Sequence, residues 1–282
     1  MLSGKVRAID DNGEFKLIAQ GNTAEVYLYG DNKILKLFRE NLPVEAIKSE
    51  YERVRIIQGR LQNIPQAYEI VEYRGRRGIV YEKITGADMI KIMLKNPFGV
   101  KRCSKELAYI HFELHKTSPD LDFSVKEKLA SDIDAAEILS REEKERIKRY
   151  LQKLPEGKAL LHFDFHPGNI IMRGNRPFII DWMTACTGAP GADVARSFLL
   201  LKYGELSHAG RFVNSLAGIL KRYIGKIYIE EYKRLSGISN ADYERWILPA
   251  AAGRLMEWIS DNEKEQLLKL IKNELHKSES EQ

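Results

Sequence analysis

The stretch Leu160-Leu161-His162-Phe163-Asp164-Phe165-His166-Pro167-Gly168-Asn169-Ile170-Ile171 sets polar groups capable of chemistry between two apolar anchors, with Pro167-Gly168 forcing a tight loop. Seventeen residues after Asp164, closing the apolar run Phe178-Ile179-Ile180, comes a second acid, Asp181. Gly174-Asn175 between the two acids reads as a hairpin tip. A loop centred on residue 175 puts Asn169 and Asp181 roughly opposite one another on neighbouring strands, their oxygens able to converge. One carboxylate and one amide oxygen are what a hard cation such as Mg2+ accepts while it keeps waters and binds phosphate. Asp164, five residues before Asn169, then sits beside such an ion without ligating it, where it can take a proton from an attacking hydroxyl.

Upstream, the chain reads as strand-rich. Glu14–Gln20, Glu25–Gly30 and Lys33–Phe38 are short apolar-alternating runs separated by Gly21-Asn22 and Asp31-Asn32. A helix follows over Val44–Leu61, with Pro43 suited to a helix start, and then come two strands, Gln66–Tyr73 and Arg77–Ile84, joined by an Arg-Gly turn. From Gly86 onward helical spacing dominates: Lys105–Lys116, Arg141–Leu154 opened by a capping box of Ser140 and Glu143, Asp193–Lys202, Phe212–Leu235 with a break at Gly225, and Tyr243–Leu275. The fold class is therefore α+β. Residues 1–85 form a small N-terminal lobe, an antiparallel sheet with one helix, and residues 86–282 form a larger, mostly helical lobe, with the hinge near Ile84–Ala87.

Composition narrows the class further. The chain has 282 residues, 30% charged and 44% hydrophobic, enough to bury a sizeable core. No apolar run is long enough to span a membrane, and the N-terminus has no apolar signal core. Two cysteines, Cys103 and Cys186, make neither a disulfide framework nor a zinc spacing, so the expected compartment is the cytoplasm. The net charge of +5 is spread evenly, with 13 basic against 11 acidic residues in 1–81, 18 against 16 in 82–181 and 14 against 13 in 182–282. A nucleic-acid footprint would be clustered, so neither a nucleic acid nor a membrane is an expected partner.

The order His162, Asp164, Asn169, followed by a hairpin and Ile180-Asp181-Trp182, resembles the aminoglycoside phosphotransferase and choline-kinase-like family of small-molecule kinases, which shares the protein-kinase fold. The resemblance implies a two-lobe protein-kinase-like architecture and transfer of the γ-phosphate of ATP, with GTP as the alternative nucleotide, onto a small-molecule hydroxyl. It makes Asp164 the catalytic base and Asn169 and Asp181 the Mg2+ ligands, with ATP in the interlobe cleft. His166 takes the place where protein kinases carry a lysine that helps bind the γ-phosphate, and so is implied to touch phosphate or acceptor.

The N-terminal lobe supplies further candidates. Gln20-Gly21-Asn22-Thr23-Ala24-Glu25-Val26 lies between two strands, where kinases bring backbone N–H groups to the phosphates; of the three kinase glycines only Gly21 is present, and a plain hairpin turn explains Gly21, Asn22 and Thr23 as well. Lys36 is a cation inside the apolar run Ile34-Leu35-Lys36-Leu37-Phe38. Simple alternation would put it on a solvent face beside Lys33, whereas the resemblance makes it the residue gripping the α- and β-phosphates. Glu50 falls within the apolar stripe Ala46, Ile47, Val54, Ile57, Leu61, and a carboxylate facing inward needs a partner, for which Lys36 is the obvious choice. Ile79–Gly86 resembles the family's hinge, implying that backbone groups around Glu82 and Ile84 bond the nucleotide base.

Three side chains read as structural. His111 and His115 lie four apart on a helix and are expected to pack beneath the catalytic loop; their order is not that of a zinc protease. Asp193, after Gly188-Ala189-Pro190-Gly191, reads as a helix N-cap. The chain lacks an Ala-Pro-Glu activation segment, which favours a small acceptor over a protein substrate. Two other functions compete: a non-catalytic nucleotide-binding regulator of the same fold, and a metal-dependent hydrolase using His162, Asp164 and His166.

Overall fold

The computed structural model describes residues 6–9, 15–121, 123–205 and 211–280, with side chains described for all of these except 211–216 and 278–280. The chain divides into two compact units, the first comprising Met1–Asp88 with Asn169–Met183 and the second Met89–Gly168 with Thr184–Gln282. The mixed α+β class expected from the sequence is present.

The first unit is built on a six-stranded sheet. Its strands are β1 (Arg7–Ala8), β2 (Leu17–Gln20), β3 (Ala24–Leu28), β4 (Lys33–Phe38), β5 (Ala67–Tyr73) and β6 (Arg76–Glu82), in the order β1-β5-β6-β4-β3-β2. All pairs are antiparallel except β1 with β5. Of the expected Glu14–Gln20 strand, β2 keeps the part from Leu17, and Glu14 lies outside the described residues. The two-residue β1 is too short to show alternation and was not legible. Between β5 and β6, Arg74 and Gly75 both have positive φ, 51° and 71°, as a type I′ turn requires. Leu35, Leu37, Val71, Tyr73 and Val80 form one apolar cluster of the sheet. The helix α1 (Val44–Gln58) buries Ile47, Glu50, Val54 and Ile57, so the inward stripe carries its carboxylate as the spacing predicts.

The sequence places one boundary at 85/86, whereas the compact unit also takes in a later hairpin. The short β7 (Ala87–Asp88) explains why. After β8 (Ala159–Leu161) of the second unit, the chain forms β9 (Ile170–Arg173) and β10 (Arg176–Ile179), and β7 joins them in a sheet of order β10-β9-β7. Gly86 permits this approach: its φ is 153°, and a Cβ there would lie 2.1 Å from Met172 O.

The second unit is mostly helical. It contains α2 (Met89–Lys95), α3 (Val100–Leu114), α4 (Val125–Ala135) and α5 (Arg141–Gln152) before β8. After the hairpin come β11 (Cys186–Gly188), paired with β8, and then α6 (Pro190–Lys202), α7 (Arg211–Ser236), α8 (Asn240–Glu244), α9 (Ile247–Arg254) and α10 (Asp261–Ser280). The core gathers Leu129 and Ile133 of α4, Ile147 and Leu151 of α5, Leu161 of β8, Leu199 of α6, Trp246, and Leu267 and Ile271 of α10. Three expectations change. α4 was unforeseen, although Ser124 and Glu127 form the same capping box as Ser140 and Glu143. α7 runs unbroken through Gly225, which lies against Leu201 of α6, so that glycine serves close packing and not a break. The expected single helix Tyr243–Leu275 is three, because Ser260 accepts the Glu263 N–H at 3.1 Å and starts α10 afresh. No helix among the described residues is long and apolar enough to cross a membrane.

Candidate active site

In the first unit the chemistry converges on Lys36. Strand β4 pairs Lys36 with Val26 on β3 and Ile79 on β6, and its neighbours Leu35 and Leu37 are fully buried on the other face. The side chain is only 12% exposed and is held by carboxylates, where simple alternation would have it on a solvent face beside Lys33. Its Nζ lies 2.8 Å from Glu50 Oε1 and 2.8 Å from Asp181 Oδ1. Glu50 is 1% exposed, and its Oε1 also accepts the Tyr81 hydroxyl at 2.9 Å. Burial opposes a charge on Lys36, but the carboxylates of Asp181 and Glu50 outweigh it and hold the ammonium well above its ordinary value. Burial and the neighbouring Glu50 push the Tyr81 phenol up in turn, so its hydroxyl stays a donor. Tyr81 was missed at the sequence level, because Ile79-Val80-Tyr81 reads as a uniformly apolar strand.

The turn Gly21-Asn22-Thr23 joins β2 to β3. Gly21 N–H donates to Ala24 O at 2.8 Å, and the Arg39 guanidinium donates to the carbonyls of Gly21 (3.3 Å) and Asn22 (3.1 Å). The turn does not itself demand glycine, since φ at Gly21 is ordinary and a Cβ would stand 3.7 Å from its nearest atom. Arg39, just after β4, is a brace on this loop that strand patterning gave no reason to single out. At the end of β6, Glu82 N–H donates to Gln66 O at 2.8 Å and its carboxylate meets Arg173 at 2.9 Å. That amide is engaged in the sheet, whereas Ile84 N–H has no partner among the described residues.

The hairpin register corrects one expectation. Arg173 pairs with Arg176 and Ile170 with Ile179, so the turn consists of Gly174 (φ 62°) and Asn175 alone. Asn169 O therefore accepts the Ile180 N–H at 3.0 Å, and Asn169 lies opposite Ile180, not Asp181. A two-residue loop is centred between 174 and 175, half a residue earlier than assumed. Asp181 takes its direction instead from a left-handed backbone (φ 63°) as the chain leaves β10, followed by Trp182, whose indole N–H donates to Ile179 O. The Asp181 side chain is 45% exposed with Oδ1 on Lys36, while Asn169 is buried. A carboxylate and an amide oxygen suit a hard cation.

In the second unit the loop after β8 is gripped at its backbone. Asp193 of α6 accepts His162 N–H at 2.6 Å and Phe163 N–H at 3.0 Å. The Thr184 hydroxyl donates to His162 O at 2.8 Å, and Arg196 Nε donates to Phe163 O at 3.2 Å. Asp193 is thus a loop clamp and not an N-cap. α6 already begins at Pro190 with Ala189 as its cap residue, the proline lacking only an N–H that the first turn would leave unpaired. Phe163, at φ 61°, and Phe165 are buried, and these two anchors leave Asp164 (28% exposed) and His166 (31%) between and beyond them. Asp164 N–H donates to His162 Nδ1 at 3.3 Å, and Asp164 Oδ2 lies 3.7 Å from His166 Nε2. Burial alone would raise the Asp164 carboxyl. His166, Arg196 and His162 outweigh that and hold it well below the usual carboxylate range.

Residues 14–211 match the family described as the phosphotransferase enzyme family. No curated protein sequence matches the chain. Among solved structures it is similar to the aminoglycoside phosphotransferase APH(2'')-Ib in ADP-bound form, at 18% identity over 93% of this chain and 92% of that one (TM-score 0.55). It is also similar to an APH(2'') enzyme in its GDP and kanamycin complex, at 15% identity over 94% and 93% (TM-score 0.58). A third likeness is to choline kinase from Cryptosporidium parvum Iowa II, at 13% identity over 95% and 89% (TM-score 0.52). At these identities the structures show a shared fold, the kinase-like fold expected from the sequence. With the match over residues 14–211, the chain belongs to the phosphotransferase enzyme family and is a phosphotransferase of kinase type.

Proposed function

We propose that the protein transfers the γ-phosphate of ATP to a hydroxyl of a small molecule, with Asp164 as the base. The observation that carries this reading is the cation Lys36, fixed 2.8 Å from Glu50 and 2.8 Å from Asp181 in an otherwise apolar setting. A buried ammonium locked between two carboxylates is a preset electrostatic device, and phosphoryl transfer depends mostly on positioning and charge neutralisation. In this reading the first unit serves the nucleotide. Lys36, oriented by Glu50, binds the α- and β-phosphates, the backbone of Gly21, Asn22 and Thr23 approaches the phosphates, and groups at Glu82 and Ile84 meet the base. Asn169 and Asp181 would hold Mg2+, whose charge offsets that of the phosphates when bound. The second unit serves the acceptor: Asp164 orients the hydroxyl and takes its proton, and His166 contacts phosphate or acceptor.

ATP is the nucleotide of choice, and GTP is the alternative that a GDP-bound structural neighbour motivates. The acceptor belongs to the class of hydroxylated amines and sugars that includes aminoglycosides and choline. The test is Mg2+-dependent ATP consumption over a panel of hydroxylated metabolites and aminoglycosides, with Asp164→Ala run in parallel. Turnover on one acceptor class, lost in the variant, supports the reading. Nucleotide binding without turnover on any member makes the chain a regulator and overturns it.

A further inference from the structure

Behind the loop that carries Asp164 lies a buried polar cluster that the transfer chemistry does not use. His111 on α3 and His115, the residue that caps its C-terminal end, both direct Nε2 at Asp193 Oδ2, at 3.0 and 3.3 Å. The first contact lies off the ideal hydrogen-bond direction and the second is a hydrogen bond. On the other side of each ring, Nδ1 meets a tyrosine hydroxyl of α7, His111 with Tyr228 and His115 with Tyr232, both at 2.6 Å. Tyr228 and Tyr232 are themselves one turn apart, so two parallel chains, tyrosine to histidine to Asp193, cross from α7 through α3 to α6.

A neutral pair of imidazoles satisfies these contacts in the following way. A neutral imidazole has one donor and one acceptor nitrogen, and a tyrosine hydroxyl donating to Nδ1 leaves Nε2 as the N–H, aimed at the carboxylate. Asp193 then accepts the His115 N–H, with that of His111 close by at 3.0 Å, from one side and the His162 and Phe163 amides from the other. We propose that Tyr228 and Tyr232 are positioning residues for catalysis: through His111 and His115 they fix the orientation of the Asp193 carboxylate, and so hold the loop backbone that presents Asp164. This rests on Asp164 being the base.

The same three residues, His111, His115 and Asp193, could in principle ligate a metal, since one donor atom from each lies within 4.8 Å of the others. The hydrogen-bond assignment is favoured. Three donors with no fourth His, Cys, Asp or Glu among the described residues do not close a structural site.

The full-length Tyr228→Phe/Tyr232→Phe variant tests this, since it removes two hydroxyls and keeps the packing rings. Amide exchange at His162 and Phe163 should rise roughly 10-fold, with α5 unchanged. Histidine 15N spectra should lose the single Nε2–H tautomer of His111 and His115. With the best acceptor of the panel, or with water, kcat should fall roughly 10- to 100-fold while KM for ATP stays within about 2-fold. Should the double variant fail to fold, the two single variants give the same readouts at smaller size. Unchanged exchange at both amides overturns the proposal whatever the turnover, and so does stoichiometric zinc or another transition ion in the purified protein. Normal turnover in Asp164→Ala would instead remove the base assignment, leaving amide exchange to judge the network alone.

Discussion

Lys36 Nζ and Glu50 Oε1 are 2.8 Å apart, a strand cation meeting the single carboxylate on the buried stripe of α1. The contact is paired a second time, since Asp181 Oδ1 holds the same ammonium at 2.8 Å. Removing one partner therefore leaves an uncompensated charge among apolar side chains, whereas softening one partner preserves the packing. Lys36→Met should destabilise the protein by about 3 kcal/mol, because Glu50 is then left buried with only the Tyr81 hydroxyl. Glu50→Gln should cost less stability but lower kcat/KM for ATP by roughly 10- to 100-fold, because the ammonium loses its fixed direction. Urea denaturation and ATP-dependent kinetics check the two halves. Equal effects on stability and kinetics in both variants would refute the division of roles.

Asp164→Ala should lower kcat by at least ~100-fold with nucleotide affinity kept, the low end for loss of a general base. Calorimetric titration with an ATP analogue separates the two quantities. Near-normal turnover would remove Asp164 from the mechanism.

Two glycines should behave oppositely. At Gly86 a side chain would collide with Met172 O and the backbone is at φ 153°, so Gly86→Ala should cost about 2 kcal/mol or more. At Gly21 a Cβ meets nothing closer than 3.7 Å, so Gly21→Ala should change stability by less than about 0.5 kcal/mol. If backbone amides of this turn approach phosphates, the Gly21 variant should still raise KM for ATP several-fold. A Gly21→Ala protein with wild-type KM and stability would show the turn to be a plain hairpin connection.

His111 makes stability depend on pH. Burial and the neighbouring His115 lower its value from 6.5 to about 3, against the pull of Asp193. Between these values the unfolded chain binds a proton that the folded chain refuses, so stability rises with pH and is lost as pH falls from about 6.5 toward 4. Asp193, held below 3.8, adds to the loss only below that value. Tm measured from pH 7 to 4.5 should therefore fall, and the slope should shrink in His111→Asn. An unchanged slope would mean that another group carries the dependence.

The acceptor should carry little positive charge. In the second unit Arg196 and Arg254 both act electrostatically on Asp164, and the carboxylates they contact, Glu257 and Glu263, are thereby neutralised. Asp132 is likewise paired with Lys128 at 2.9 Å. A polycation needs carboxylates without such partners. Turnover of a neutral or singly charged alcohol should therefore exceed that of kanamycin by roughly 10-fold in kcat/KM. The reverse order would show that acidic groups outside this cluster dominate recognition.

Local patterns determined much of this protein by themselves. Apolar alternation and turn residues set the strands β3 to β6, helical spacing set α1 with Glu50 on its inward stripe, and the polar loop between apolar anchors marked Asp164. These features depend on neighbours within a few residues, where periodicity and steric preference act directly. Tertiary structure alone decided the rest. The contact that ties Asp181 to Lys36, 145 residues away, depends on groups distant in sequence. So does the clamp of Asp193 on His162 and Phe163, thirty residues away, which no spacing rule announces. A carboxylate's neighbours along the chain tell only that it needs partners; which N–H groups satisfy it is settled when distant segments are buried together and every polar group must be paired.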